Sequence, residues 1–104
     1  MRKLPENIGE NGKKWLKKLF LEYSFDKSEL ESCYQAAVCL DRIEAAGTSI
    51  REYGIVLSTA GGSLKANPAV LIERDSKILF ARLLRELGIT GSSDTRLPRK
   101  GATR

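Results

Sequence analysis

Histidine is absent from this sequence of 104 residues, and cysteine occurs only twice, at Cys33 and Cys39. The chain therefore lacks the side chain that usually acts as a general base near pH 7, and no serine or cysteine has a histidine to activate it. A zinc site within one chain needs more such ligands than the sequence offers. The acidic residues show no clustering that would hold Mg²⁺. We predict a protein that is not an enzyme, with no metal and no cofactor.

Long apolar runs are also missing. No stretch approaches the length of a membrane-spanning helix, and residues 1–14 lack the apolar segment of a signal peptide. The two cysteines are six residues apart in a predicted helix, about 9 Å along its axis, and they point apart, so they cannot pair with each other. These absences predict a protein without a membrane partner and with two buried, reduced thiols.

Positive charge is concentrated at the two ends of the chain. Residues 1–18 contain six basic and two acidic side chains (net +4), residues 19–88 contain eight and ten (net −2), and residues 89–104 contain four and one (net +3). Basic ends on a nearly neutral middle predict a polyanionic partner, most simply nucleic acid. The alternative is that the ends are solubilising tails without a partner.

The basic N-terminal part divides into an arm and a helix. Residues 1–12 contain one proline and two glycines without periodicity, which predicts a flexible arm. Residues 13–23 form a short amphipathic helix with an aromatic and aliphatic arc opposite a basic arc. The basic arc predicts contacts with DNA phosphates, and the alternative is a solvated charged face. The arc consists of Lys13, Lys14, Lys17 and Lys18.

A second helix is predicted to begin at Asp26, because Asp26 and Glu29 have the spacing of a capping box, and to end at Gly47. Apolar residues occupy most of its circumference, so it should be buried on more than one side. A chain of this length has little else to cover such a helix, which predicts contacts with neighbouring subunits. The alternative is that its small alanines are partly exposed.

A small β-hairpin is predicted near residues 54–66, where a β-branched run precedes a glycine-rich turn; an irregular loop is the alternative. The central helix follows, from the N-cap Asn67 and Pro68 to a C-terminal Gly88. Its apolar stripe is predicted to face the core and consists of Ile72, Leu79, Phe80, Leu83 and Leu87.

Two aliphatic side chains, Leu71 and Ile78, lie on the back of the central helix among arginines. This arrangement indicates a subunit contact with a polar rim, although single surface aliphatics also occur without a partner. With the second helix, it predicts an oligomer interface formed by Tyr34, Ala37, Val38, Leu40, Leu71 and Ile78. The polar residues 89–104 predict a flexible basic tail. A second set of phosphate contacts is assigned there to Arg96, Arg99, Lys100 and Arg104.

Several features follow one another in a fixed order. The segment YGIVLSTAGGSLKA directly precedes the helix opening NPAV, a glycine closes that helix, and the tail reads x-T-x-S-S-x-x-R-L. In this order and spacing, residues 26–97 resemble the small subunit of phage DNA-packaging terminases. Two positions depart from the family pattern: Gly91 stands where a proline usually follows the threonine, and Asp94 where an arginine often follows the serine pair.

This resemblance implies a mostly helical homo-oligomeric ring in the host cytoplasm. Such a protein binds double-stranded viral DNA and delivers it to a large subunit that holds the ATPase and the nuclease, and it has no small-molecule substrate. The predicted fold is therefore mainly α: a single helical domain over residues 13–88 with three helices, a small β-hairpin or loop before the last helix, flexible basic ends and a ring-like assembly.

Two other functions stay open at this point. A small helical DNA-binding regulator is one, but a helix-turn-helix unit joins its helices by a turn of three or four residues, whereas about twenty residues separate the second helix from the central one. An interaction scaffold without DNA is the other, and it would show no salt-sensitive DNA binding.

Overall fold

The computed structural model describes residues 6–89 as three helices and a two-stranded hairpin. The elements are α1 (Glu10–Glu22), α2 (Lys27–Tyr53), β1 (Val56–Ser58), β2 (Leu64–Ala66) and α3 (Ala69–Glu86). The prediction of a mainly helical protein with a small antiparallel hairpin before the last helix is confirmed. Within the described residues, no helix is long and apolar enough to cross a membrane.

Helix α2 begins as predicted, but it ends six residues beyond Gly47, the predicted end. The capping box is present, since Asp26 Oδ1 accepts from the Glu29 N–H at 2.9 Å and Glu29 Oε1 accepts from the Asp26 N–H at 3.1 Å. The helix continues to Tyr53, and Gly54, with φ +83°, supplies the left-handed residue that ends it. The predicted end at Gly47 is therefore wrong.

Gly47 lies in the interior of α2, on the side of the helix that faces α3. That glycine is buried, and a Cβ on it would lie 3.7 Å from Glu73 Oε2 of α3. A glycine inside a helix costs about 1 kcal/mol relative to alanine. A Cβ would fit at Gly47 at ordinary van der Waals distances, so packing does not require a glycine at this position.

Helix α1 begins three residues earlier than predicted. Ile8 is only 2 % exposed and belongs to the main core, so residues 8–12, predicted as part of a flexible arm, lie against α2. Gly12 permits this close approach, because a Cβ there would lie 2.7 Å from the Ala37 carbonyl oxygen. No L-residue with a side chain fits at this distance without a shift of one helix.

The core lies on two sides of α2, and both sides are covered by the same chain. Towards α1, Cys33 and Ala37 are completely buried among Leu16 and Leu19. Towards α3, Ala36 and Cys39 pack against Leu83. The prediction that α2 is buried on more than one side is thus confirmed, but a neighbouring subunit is not what covers Ala37. Both cysteines are free and buried as expected, and burial raises the pKa of the Cys39 thiol.

Asn67 connects α2, the hairpin and α3. Its Oδ1 accepts from the Ala69 N–H at 2.9 Å, while its own N–H donates to the Ile55 carbonyl at 2.9 Å. Its Nδ2 donates to the Gly54 carbonyl at 2.8 Å and to Ser49 Oγ at 3.3 Å. The regular helix begins at Ala69, and Pro68 already has helical φ and ψ of −57° and −22°, so Asn67 provides the predicted cap. The asparagine is 4 % exposed.

The stripe of α3 that faces α2 is rotated from the predicted one. Leu83 and Leu87 are buried as expected, but Ile72 is 48 % exposed. The buried residues in the first half of α3 are instead Ala69 and Ser76. Together with Leu83 they follow one another at intervals of seven residues and so lie on one side of the helix. Small side chains there allow α3 to approach α2 closely. The predicted C-terminal residue is confirmed, since Gly88 has φ +79° and follows the last residues of the helix.

The first prediction concerns Asn67. Replacing it with alanine removes the cap and also leaves the partly buried Gly54 carbonyl without this donor, so the free energy of unfolding should fall by about 2–4 kcal/mol. Urea unfolding followed by the fluorescence of Trp15 measures this change.

Asn67→Ser is the matched control, because serine keeps the capping oxygen and lacks the amide donors. We expect Asn67→Ser to recover about 1 kcal/mol of the loss. A serine variant as stable as the wild type would show that only the cap matters, and an alanine variant of wild-type stability would contradict both roles.

Candidate nucleic-acid interface

Helix α1 presents all its lysines on one exposed face. Lys13, Lys14, Lys17 and Lys18 are exposed, while Leu16 and Leu19 on the opposite arc are buried in the core. Lysines four residues apart are separated by about 6 Å along the helix axis. The ion pairs found among the described residues lie in α3, and none involves a lysine of α1. These ammonium groups are therefore available to an external anion.

The N-terminus of α1 is capped by a carboxylate from α2. Asp41 Oδ2 accepts from the Gly9 N–H at 2.6 Å, and Asp41 Oδ1 accepts from the Gly12 N–H at 2.9 Å. Gly9 occupies the N-cap position and has no side chain to do this. A negative charge at a helix N-terminus is also favourable because of the helix dipole. Asp41 thus fixes α1, and with it the lysine face, to the body of the protein.

Three further residues of α1 lie on the lysine face or at its edge. Leu21 follows Lys17 by four residues and is 86 % exposed, so an aliphatic side chain lies at the C-terminal end of this face. Glu10 precedes Lys14 by four residues and is exposed in the first turn. Glu22 follows Lys18 by four residues and is also exposed. The face is therefore cationic in its centre, with an acidic residue at each end and an apolar residue beside the C-terminal one.

The second predicted set of phosphate contacts, Arg96, Arg99, Lys100 and Arg104, lies outside the described residues. A different cationic surface does fall within them, on the outer side of α3. Arg82 and Arg85 are exposed there, next to Arg74, whose Nε lies 3.3 Å from Asp75 Oδ1. From the sequence, these arginines are predicted to form the rim of a subunit contact, and they are the alternative DNA surface if the lysines of α1 prove to be only solvated.

The predicted interface residues are distributed over three places. Leu71 and Ile78 lie on the outer side of α3, where each is 55 % exposed. Tyr34 and Val38 line a cavity of about 270 Å³ between α2 and α3. The remaining two are Ala37, which is 0 % exposed within the chain itself, and Leu40, which is half-buried. Ala37 is thus removed from the exposed surface by α1, because α1 packs directly on it.

Nothing among the described residues forms a metal site. No group of three or more cysteine or acidic side chains converges there in a way that could hold an ion. Cysteine side chains act as nucleophiles in some enzymes; in this protein both cysteines are buried. The described surface carries exposed lysines and arginines, whose charges can bind an anion.

A comparison with known protein families identifies the family of this chain. Residues 23–103 match the model of the phage terminase small subunit family. This span covers most of the sequence, and the chain belongs to that family. Members of the family are generally non-catalytic subunits of the machinery that packages phage DNA. No curated protein and no solved structure matches the chain significantly.

The second prediction concerns Asp41, whose role no local sequence rule reveals. Asp41→Ala removes both acceptors at the start of α1, so the free energy of unfolding should fall by about 1–2 kcal/mol, and the backbone amides of α1 should exchange hydrogen faster. Urea unfolding and hydrogen exchange measure the two effects.

Asp41→Asn keeps one acceptor oxygen and removes the charge, so it serves as the control. We expect it to lose less stability than the alanine variant. Unchanged exchange in α1 after Asp41→Ala would contradict the assignment of Asp41 as the residue that holds this helix.

Proposed function

We propose that this protein is the DNA-binding subunit of a phage packaging terminase. It binds double-stranded viral DNA as a homo-oligomer in the host cytoplasm and delivers the DNA to the large subunit, without itself catalysing a reaction. Family membership supports this role. The observation that carries DNA binding is the exposed lysine face of α1, whose charges have no partner among the described residues.

The chemistry of the lysine face favours contacts to the DNA backbone over reading of base sequence. Lysine is a point charge on a flexible stem, and a row of lysines neutralises phosphates without distinguishing base edges. Each subunit should therefore bind weakly and with little sequence preference. Several subunits on one duplex would raise the overall affinity without any new contact. This dependence links the DNA-binding role to the assembly.

The geometry disfavours a helix-turn-helix regulator. Helix α2 is enclosed by α1 and α3 and cannot enter a groove of DNA. The connection between α2 and α3 contains a β-hairpin instead of a tight turn. A scaffold that does not bind DNA stays the competing function, and the salt dependence of binding separates the two.

The third prediction tests the lysine face. Each phosphate contact should contribute about −0.9 to the slope of log affinity against log salt concentration. Replacing Lys14, Lys17 and Lys18 by alanine should flatten this slope by up to about three units per engaged subunit. Titration of a fluorescent duplex at several salt concentrations measures the slope.

The control removes the same number of charges elsewhere. Lys27, Lys65 and Lys77 are exposed and lie outside α1, so their replacement by alanine lowers the net charge equally. We expect this control to change the slope much less. Equal slopes for the wild type and the α1 variant, with both folded and assembled, would assign the lysines to a solvated face. Equal flattening by both variants would indicate an effect of net charge alone.

The fourth prediction concerns the C-terminal basic residues, which we propose as a second phosphate-binding set. Removal of residues 95–104 deletes Arg96, Arg99, Lys100 and Arg104. The affinity for DNA should fall by a similar factor for duplexes of unrelated sequence, because these contacts would neutralise phosphates. A loss confined to one DNA sequence would instead show base readout, and unchanged affinity would exclude the tail from binding.

A further inference from the structure

Leu21 is an aliphatic residue in the middle of the exposed arc of α1. Its side chain is 86 % exposed, which is the largest exposed fraction among the large apolar side chains that the structure describes. Helix α1 ends at Glu22, before the residues that match the family, so a role for Leu21 does not follow from family membership. Phosphate binding by the lysine face does not use Leu21 either, because an aliphatic side chain gains nothing from a phosphate.

The four exposed lysines of α1 lie on both sides of Leu21 around the helix. With about 100° between consecutive residues, Lys13 and Lys17 lie about 80° and 40° to one side of Leu21. Lys14 and Lys18 lie about 20° and 60° to its other side. Two rows of cations with an apolar residue between them match a DNA groove, because a groove has phosphates along both of its walls.

The width of a helix selects the major groove. An α-helix with its side chains is about 10–12 Å across, whereas the major groove of B-DNA is about 12 Å wide and the minor groove about 6 Å. The exposed residues of α1 span about half of its circumference, and the buried Leu16 and Leu19 hold the other half against α2. The exposed half of α1 can therefore enter a major groove while the core stays intact.

We propose that α1 lies in the major groove of the bound DNA and that Leu21 packs against the C5-methyl group of a thymine. The base edges in the major groove present hydrogen-bond donors and acceptors, and the thymine methyl is the apolar group among them. The exposed carboxylates of Glu10 and Glu22 repel phosphates at the ends of the face, so the lysines between them make the phosphate contacts. This inference rests on the proposed DNA-binding function, and it adds a modest preference for thymine that the lysines do not supply.

Replacement of thymine by uracil tests this contact, because it removes the C5-methyl group and keeps the charge and the pairing of the duplex. The full-length protein is titrated with a fluorescent duplex and with the same duplex in which every thymine is replaced by uracil. We expect the affinity of the wild type to fall by about fourfold or more, since burial of one methyl group contributes about this factor for each engaged subunit. Leu21→Ala should bind both duplexes equally, and its salt slope should equal that of the wild type because no charge is removed.

Leu64→Ala is the matched control. It makes the same substitution at a side chain that is 71 % exposed and lies in the hairpin, outside α1. We expect this control to distinguish the two duplexes as the wild type does. Leu21 is exposed and alanine favours a helix, so Leu21→Ala should keep the fold, which circular dichroism checks.

Three other outcomes overturn the proposal. Salt-dependent binding of the wild type with equal affinity for the two duplexes would show that no thymine methyl is contacted. A Leu21→Ala variant that still prefers thymine would assign the preference to another residue. A smaller assembly of Leu21→Ala than of the wild type in native mass spectrometry would make Leu21 part of a protein contact. The proposed function fails separately, when the wild type binds neither duplex in a salt-dependent manner.

Discussion

The side chain of Asn67 holds the two long helices in register. It is almost completely buried, and its amide and backbone bind the end of α2, the hairpin and the first turn of α3 at once. Buried polar groups must find partners, so this set of bonds admits one arrangement of the three segments. The packing of Leu83 of α3 against Ala36 and Cys39 of α2 depends on that arrangement.

Asp41 fixes the third helix in a comparable way, with a different physical basis. Its carboxylate is an N-cap supplied from a distance of 29 and 32 residues along the chain. Gly12 is the second requirement, since α1 approaches the Ala37 carbonyl too closely for a side chain. Both features hold the apolar arc of α1 against α2. The lysines on the opposite arc therefore face the solvent. The orientation of the lysine face thus follows from the contacts that the opposite side of α1 makes with α2.

Local rules predicted the features whose partners lie within a few residues. The capping box at Asp26, the cap at Asn67 and the terminal Gly88 all belong to this group. Gly47 and Gly54 satisfy the same local rule for a helix end, and the helix ends at the second of them, where φ is +83°. The rotated stripe of α3 has another cause: hydrophobicity favours Ile72 inside, whereas close approach of two helices favours Ala69 and Ser76. The acceptor role of Asp41 has no local signal at all.

Assembly of several copies into the expected ring would have a direct consequence for DNA binding. All copies in a closed ring are related by rotation about one axis, so α1 lies at the same height and radius in each copy. The lysine faces then repeat along one circle. A single face neutralises few phosphates and binds weakly, but adjacent faces that contact one duplex act as linked sites, and their combined affinity far exceeds that of one copy. Assembly and DNA binding are then linked, because the number of copies in the ring determines how many lysine faces the DNA meets.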